Sequence, residues 1–160
     1  MAKSKEEKTN VMRTLEQKKI PYTAHSYDPE GPIDGVSVAQ TLGQPPEQVF
    51  KTLVTKGASG AYYVFDIPVE KTLDLKKAAR AVGEKSIAML PQKELLSNTG
   101  YVHGGCSPVG MKKQYPTVFH ETAEILDTIT VSAGKIGYQV ELAPGDLIAL
   151  VGGTTADLTV

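Results

Sequence analysis

Residues 100–113, with the sequence GYVHGGCSPVGMKK, constrain the fold most, because they supply turns and backbone geometry instead of core. Gly104 and Gly105 can enter backbone conformations closed to other residues and let another molecule approach bare N–H groups. Pro108 restricts the backbone of the turn that follows, and Gly110 lets the chain leave that turn in conformations closed to other residues. This stretch, called the glycine loop below, therefore predicts either a flexible surface loop or a pocket lined by backbone donors.

Composition limits the class of protein. The chain has 160 residues, 41% of them hydrophobic, which predicts one globular domain over residues 1–160. The single cysteine excludes an internal disulfide and a cysteine-based zinc site, and it indicates a reducing compartment. No stretch is long and apolar enough to span a membrane, and the first residues lack the apolar core of a signal peptide. We expect a cytoplasmic protein without membrane contact.

Charge and histidine content limit the partners. The formal net charge is -1, so we expect no DNA partner, and any RNA contact has to come from local basic patches. The three histidines are scattered and no pair has ligand spacing on a helix. We therefore expect no metal and no cofactor.

The first part of the chain predicts two helices and a strand. Ser4 and Glu7 form a capping-box pattern, and apolar residues at helical spacing predict a helix to about Lys19. Alternation over residues 22–27 predicts a half-buried strand. Ser37 is typical of the cap of a second, short helix.

The middle of the chain predicts a hairpin. Residues 51–56 and 61–67 are apolar, β-rich runs on either side of a turn of small residues. After the hairpin, Asp74 predicts the cap of a helix that Gly83 ends.

The remaining elements are short. Strands are predicted over 86–90, 117–119, 128–132 and 138–142, and helices from Pro91 and over 147–151. The last two strands form a predicted hairpin around Gly134 and Gly137. Short strands with helices inserted between them predict an α+β, or mixed α/β, domain around one sheet.

Lys51 is the charged residue with the strongest case for a function. It starts the predicted hairpin between two apolar neighbours, Phe50 and Leu53. A lysine on an edge strand can simply discourage aggregation. Alternatively, its stem is packed and its ammonium is aimed at a phosphate or a ribose.

Cys106 is open to two interpretations. It could act as a nucleophile if His103, His25 or His120 stood near it as a base. Nothing in the sequence brings these residues together, and an unpaired cysteine is commonly a small buried apolar group. His25 and Tyr27 share one face of the predicted first strand, so either could line a pocket.

Three separated motifs carry a resemblance to a known family. They are FKTL at 50–53, GGCSPVGMKK at 104–113 and VSAGKIG at 131–137. Together they resemble the YbaK/EbsC family of aminoacyl-tRNA editing domains, whose best-known members are Cys-tRNA(Pro) deacylases. Three motifs in the right order, with matching flanks, cover nearly the whole chain and are much more specific than one glycine motif.

The resemblance implies a fold and a set of site residues. The implied fold is a mostly antiparallel, partly closed, barrel-like sheet of six or seven strands with peripheral helices. Lys51, Gly104 and Ser132 match catalytic positions. The matching substrate-binding positions are Tyr27, Thr52, Gly105, Ser107, Pro108 and Gln139, the last where relatives vary.

The resemblance also implies a mechanism and partners. The implied substrate is the aminoacyl-tRNA Cys-tRNA(Pro), whose own thiol attacks the ester carbonyl and releases a cyclic thiolactone. Gly104 and Gly105 would supply backbone donors, Lys51 would fix the acceptor end, and Ser132 and Tyr27 would orient the amino acid. Separately, because the chain carries little net positive charge, we expect selection of tRNA(Pro) to depend on a partner, prolyl-tRNA synthetase.

Five basic residues predict a tRNA-binding surface: Lys76, Lys77, Arg80, Lys112 and Lys113. A solvated helix face explains the first three equally well. Three alternatives to the cysteine-specific enzyme stay open: an Ala-tRNA(Pro) deacylase, a non-catalytic module that binds aminoacyl-tRNA or a synthetase, and a hydrolase with Cys106 as nucleophile.

Overall fold

The computed structural model describes residues 8–160. The helices in that range are α1 (Asn10–Gln17), α2 (Gly35–Leu42), α3 (Leu75–Val82), α4 (Leu95–Thr99) and α5 (Pro144–Val151). The strands are β1 (Thr23–Ser26), β2 (Phe50–Gly57), β3 (Tyr62–Pro68), β4 (Ile87–Met89), β5 (Thr117–His120), β6 (Ile129–Ser132), β7 (Tyr138–Leu142) and β8 (Thr154–Ala156).

The strands form two sheets. The larger has the order β4-β2-β3-β5-β8 and the smaller the order β1-β7-β6. Pairing is antiparallel except for β5, which runs parallel to both β3 and β8. The α+β class is confirmed, but two open sheets stand where a single barrel-like sheet of six or seven strands was expected. The parallel pairs are possible because long connections with helices carry the chain back before β5 and β8.

The hairpin of β2 and β3 is confirmed and forms the centre of the larger sheet. Its register places Thr52 opposite Asp66. On its other side β2 pairs with β4 only from Thr55 onward. The first half of β2 instead approaches the smaller sheet, through a bridge between Val49 and Thr130. This change of neighbour along one strand leaves room for a cavity between the sheets.

Helix caps were predicted with mixed success. The carboxylate of Asp74 accepts hydrogen bonds from the first N–H groups of α3, and Gly83 ends that helix as predicted. The prediction that Ser37 caps α2 is wrong: the helix begins at Gly35, and Asp34 accepts a hydrogen bond from the Ser37 N–H. Asp34 therefore has the role that was given to Ser37, because its carboxylate reaches the N–H three residues later.

The first helix is shorter than expected. Thr9 caps α1 by accepting a hydrogen bond from the Met12 N–H. The predicted capping box of Ser4 and Glu7 lies outside the described residues. The helix ends at Gln17, before the predicted Lys19, whose φ of 61° is incompatible with a right-handed helix.

The C-terminal strand was not predicted. β8 has three residues and pairs in parallel with β5, where Val118 lies opposite Thr154. It is too short to show alternation, so nothing local distinguishes it from a loop. In residues 8–160, no helix has the length and apolar character needed to cross a membrane.

Two apolar clusters hold the sheets in place. One joins α1, α5 and the β6–β7 hairpin around Leu15, Ile129 and Leu147. The other packs α3 against the larger sheet around Phe65 and Ile67. The cavity lies where the elements of these two clusters meet the glycine loop. Packed core residues therefore hold its walls in place.

Candidate active site

A cavity of about 480 Å³ opens between the first half of β2, the start of α2, the glycine loop and the β6–β7 hairpin. Eight of its lining residues were singled out from the sequence: Tyr27, Lys51, Thr52, His103, Gly104, Cys106, Ser132 and Gln139. Residues that are distant in the sequence thus share one concave surface, as a binding site requires.

Lys51 supplies the cation of this cavity. Among the described residues it is the only lysine or arginine on the cavity wall, and none of their carboxylates forms an ion pair with it. Partial burial lowers the pKa of Lys51. A half-buried ammonium without an internal counter-ion is available to a phosphate or to polar ribose oxygens.

The glycine loop supplies backbone donors. Gly104 has a φ of 92°, in the left-handed region that favours glycine, and a Cβ there would lie 3.0 Å from Ile33 Cδ1. In the part of the chain that the structure describes, the N–H groups of Gly104 and Cys106 have no acceptor. The Gly105 N–H donates to Val102 O at 3.0 Å. The free donors are therefore those of Gly104 and Cys106, not of Gly104 and Gly105 as expected.

Two residues that were predicted to bind substrate are instead buried within the glycine loop. Ser107 and Pro108 are buried, and neither is on the cavity wall. Ser107 Oγ accepts a hydrogen bond from the Val109 N–H at 3.2 Å, and the Tyr101 hydroxyl donates to Val109 O. Any influence of Ser107 and Pro108 on a ligand has to pass through the loop backbone.

The β6–β7 hairpin contributes polar side chains. Ser132 Oγ accepts a hydrogen bond from the Gly134 N–H at 3.0 Å, so its own hydroxyl hydrogen is left for another acceptor. Gln139 Oε1 accepts from Gln44 Nε2 at 2.9 Å, which leaves the Gln139 amide N–H groups as donors. Tyr27 completes this side of the cavity just after β1.

Cys106 and the histidines do not form a catalytic pair in this structure. Burial is the main cause that raises the pKa of the Cys106 thiol to about 12, so the reactive thiolate is scarce at neutral pH. His25 Nε2 lies 2.8 Å from Glu141 Oε1, and His120 accepts a hydrogen bond from a backbone N–H. Only His103 shares the cavity with Cys106. Cys106 is the small buried group that the sequence favoured.

No metal site is found among residues 8–160, where no three histidine, cysteine or acidic side chains are grouped as ligands.

A family model described as an aminoacyl-tRNA editing domain matches residues 34–150. That range runs from the cap of α2 into the last turn of α5 and includes all three sequence motifs. This chain belongs to the aminoacyl-tRNA editing family. The resemblance carried by the motifs is confirmed, and by its class the chain is an enzyme, an aminoacyl-tRNA deacylase.

Curated relatives agree with this membership. The editing domain is 47% identical to EbsC of Enterococcus faecalis, a proposed Cys-tRNA(Pro)/Cys-tRNA(Cys) deacylase, over 99% of this chain and 98% of that protein. It is 32% identical to a proline–tRNA ligase of Fervidobacterium nodosum over 47% of this chain, which corresponds to 13% of the ligase.

Solved structures show the same fold. The editing domain resembles a proposed trans-editing enzyme for prolyl-tRNA synthetase, with a TM-score of 0.80, 27% sequence identity and coverage of 94% of both chains. It also resembles the hypothetical protein APE2540, with a TM-score of 0.85 at 20% identity and coverage of 94% and 99%. At that identity the second match shows the fold alone.

The start of α2 is the wall of the editing domain that sequence analysis missed. Asp34, Gly35 and Val36 line the cavity. A Cβ at position 35 would lie 2.4 Å from Val69 Cγ1, so only glycine lets the helix approach this closely. The Asp-Gly pair in front of an apolar helix was the available signal.

The predicted tRNA-binding residues lie in two different settings. On α3, Lys77 is tied to the C-terminal segment, with Nζ 2.9 Å from Asp157 Oδ2 and 2.8 Å from Thr159 O. Lys112 instead lines a second groove of about 410 Å³, which the glycine loop borders through Tyr101 and Gly110. The other basic residues of that groove are Lys8, Arg13 and Lys135. Lys113 is exposed beside Lys112.

Proposed function

We propose that this editing domain removes cysteine from mischarged Cys-tRNA(Pro) in trans, by attack of the substrate's own thiol. The observation that supports this most is the content of the cavity. It holds one cation, Lys51, and two free backbone donors, at Gly104 and Cys106, but no activated nucleophile among the described residues. The EbsC relative is itself a proposed Cys-tRNA deacylase.

Each wall of the cavity has a part in this reaction. Lys51 holds the phosphate or terminal ribose of the acceptor end. The N–H groups of Gly104 and Cys106 point at the ester carbonyl oxygen and stabilise the negative charge that it develops. Ser132, Gln139 and Tyr27 orient the amino acid.

The chemical step needs no residue of the protein as nucleophile. The cysteine sulfur of the substrate forms a bond to the carbonyl carbon, and the carbon–oxygen bond to the ribose breaks. The thiol loses one proton and the leaving ribose oxygen gains one, so a cyclic thiolactone and free tRNA result. Holding the sulfur against an already activated ester supplies most of the rate, because the reaction is intramolecular.

A panel of charged tRNAs tests this function. We expect rapid deacylation of Cys-tRNA(Pro), and a rate for Ser-tRNA that is lower by on the order of a hundredfold or more, because a hydroxyl is a much poorer nucleophile at neutral pH. Faster deacylation of Ala-tRNA(Pro) would instead identify an alanine editing enzyme. Binding without cleavage of any member would identify a non-catalytic module.

Selection of the tRNA is proposed to need prolyl-tRNA synthetase. With a net charge of -1, the protein has little general affinity for RNA. We expect similar rates on Cys-tRNA(Pro) and Cys-tRNA(Cys) for the isolated protein, and a preference for Cys-tRNA(Pro) once the synthetase is added in the same assay. A strong preference without synthetase would contradict this partner. A cytoplasmic location belongs to the same proposal.

A further inference from the structure

Asp66 is a buried carboxyl group directly behind the cavity wall, and the proposed reaction does not use it. It lies on β3, opposite Thr52 on β2, and is 0% exposed. Thr52 Oγ1 lies 2.6 Å from Asp66 Oδ1. Within residues 8–160, Asp66 Oδ2 has no hydrogen-bond partner. Buried aspartates with so few partners are uncommon, because an unpaired buried carboxylate is costly.

Thr52 connects this carboxyl group to the cavity, since it contacts Asp66 and also lines the cavity wall. An ionised carboxylate can only accept hydrogen bonds, so the Thr52 hydroxyl must donate to it and turns its lone pairs to the cavity. A protonated Asp66 can donate to Thr52 Oγ1, which frees the Thr52 hydroxyl hydrogen for an acceptor in the cavity. The protonation state of Asp66 thus reverses the hydrogen-bonding role of Thr52.

The surroundings of Asp66 allow both its ionised and its protonated form near neutral pH. Burial raises the pKa of Asp66 to about 7, against the opposing effect of the Thr52 hydrogen bond. The ionisable groups that line the cavity are Tyr27, Asp34, Lys51, His103 and Cys106. The strands around Asp66 add Lys56 on β2, Tyr62 and Tyr63 on β3, and His120 on β5. Among them, the pKa of the Cys106 thiol is raised by burial and further by the charge of Asp66, so the thiol stays neutral at physiological pH.

We propose that Asp66 is a positioning residue, which in its ionised form holds Thr52 as the hydrogen-bond acceptor for the α-ammonium group of the bound aminoacyl ester. The inference rests on the proposed function, because it takes the ligand to be an aminoacyl ester. An ammonium group has donors and no acceptor, so it needs Thr52 in the accepting state. The buried negative charge behind Thr52 favours the same cation, and an N-acylated ester lacks that cation.

The sign of the pH effect follows from this assignment. Above neutral pH, Asp66 is ionised and Thr52 accepts. As the pH falls through the pKa of Asp66, the carboxyl group takes up a proton, Thr52 becomes a donor, and the ammonium group loses its acceptor. Binding and deacylation should therefore weaken toward acid pH.

The test compares wild type with Asp66→Asn, which keeps the shape but cannot ionise. The ratio of their kcat/KM values on Cys-tRNA cancels the titration of the substrate. We expect this ratio to be near one well below the pKa of Asp66, to rise by up to about tenfold per pH unit through that pKa, and to level off above neutral pH. The matched control is Thr55→Val, which removes a buried hydroxyl from the same strand, bonded to Tyr63 O at 2.9 Å, away from the cavity. Its ratio to wild type should not change with pH.

Two further measurements separate positioning from a structural role. If Asp66 acts through Thr52, Asp66→Asn should have no further effect on kcat/KM in a Thr52→Val background. In calorimetry with a non-hydrolysable 3′-amide of cysteine and adenosine, wild type should prefer this ligand over its desamino analogue, and only the wild-type preference should weaken at acid pH. A pH-independent rate ratio, or additive effects of the two substitutions, would overturn the positioning role. Failure of wild type to bind the amide or to deacylate any aminoacyl-tRNA would instead overturn the proposed function, and this inference with it.

Discussion

The two long walls of the cavity present different parts of the chain to a ligand. The β2 wall offers side chains, because Lys51 and Thr52 stand on a strand that is paired along its length with β3. The glycine loop offers mainly main chain, through the N–H groups of Gly104 and Cys106. A paired strand fixes its backbone and leaves side chains for chemistry, whereas the glycine loop, with a φ of 92° at Gly104, leaves two N–H groups without an acceptor among the described residues. The walls should therefore respond differently to substitution.

Lys51→Ala should have the largest effect. In the proposed reaction Lys51 positions the acceptor end, so we expect kcat/KM on Cys-tRNA to fall by on the order of a hundredfold without its ammonium. The control is Lys56→Ala, an exposed lysine on the same strand whose ammonium lies 5.8 Å from the centre of the Tyr62 ring. Equal rates for the two variants would show that the β2 wall does not act through its side chains.

Gly104→Ala tests the backbone wall. The methyl group forces either φ or the Ile33 side chain to move, so the donor shifts without being removed, and we expect about a tenfold loss of kcat. Gly60→Ala is the matched control, since Gly60 has a φ of 95° in a hairpin turn with nothing within 4 Å of the added Cβ. Both variants should lose stability in thermal denaturation, but only Gly104→Ala should lose activity.

Asp66→Asn should change how stability depends on pH. The folded-state pKa of Asp66 is raised from 3.8 to about 7, so the native state keeps a proton that the unfolded chain releases. Wild type therefore loses stability as the pH rises between these values, by on the order of 4 kcal/mol at most, and Asp66→Asn does not. Denaturant unfolding at several pH values measures the difference.

Asp157→Asn should change the pH dependence of the free energy of unfolding in the opposite direction. The hydrogen bond from Lys77 lowers the pKa of Asp157, so the ionised carboxylate stabilises the folded state. This stabilisation is lost as the pH falls through that pKa. If the free energies of unfolding of Asp66→Asn and wild type differed by a constant amount at every pH, Asp66 would be ionised to the same extent in the folded and the unfolded protein. Burying its charge behind the β2 wall would then not destabilise the fold.

Cys106→Ala should have the smallest effect. The thiol is buried and its pKa is raised to about 12, so the substitution should leave kcat nearly unchanged and cost about 1 kcal/mol of stability. Alkylation by iodoacetamide should be slow in the native protein and fast after unfolding. An inactive Cys106→Ala variant would replace the substrate-assisted mechanism with a cysteine nucleophile.

Local patterns were sufficient for the elements whose signals are contained within a few residues. The β2–β3 hairpin was predicted because two apolar runs flank a turn of small residues, and α3 because Asp74 and Gly83 mark its ends. The three motifs also determined the family. Each of these inferences depends on interactions between residues close in the sequence, or on residue identity alone.

Other features depended on neighbours that are distant in the sequence. β8 is a strand only because β5 pairs with it, and α2 reaches the cavity only because Gly35 packs on Val69. The two-sheet arrangement follows from long connections, whose path no local pattern encodes.

The sequence by itself identified residues that line the candidate site: a lysine between apolar neighbours, a glycine loop, and a serine and a glutamine near one hairpin. The tertiary structure decided which of their groups are free to act. It engaged the Gly105 N–H within the loop, buried Cys106 and tied Lys77 to the C-terminal segment. It also placed Asp66, an unremarkable residue in an apolar strand sequence, behind Thr52. Burial and hydrogen bonding depend on contacts between distant segments, and those contacts exist only once the chain is folded.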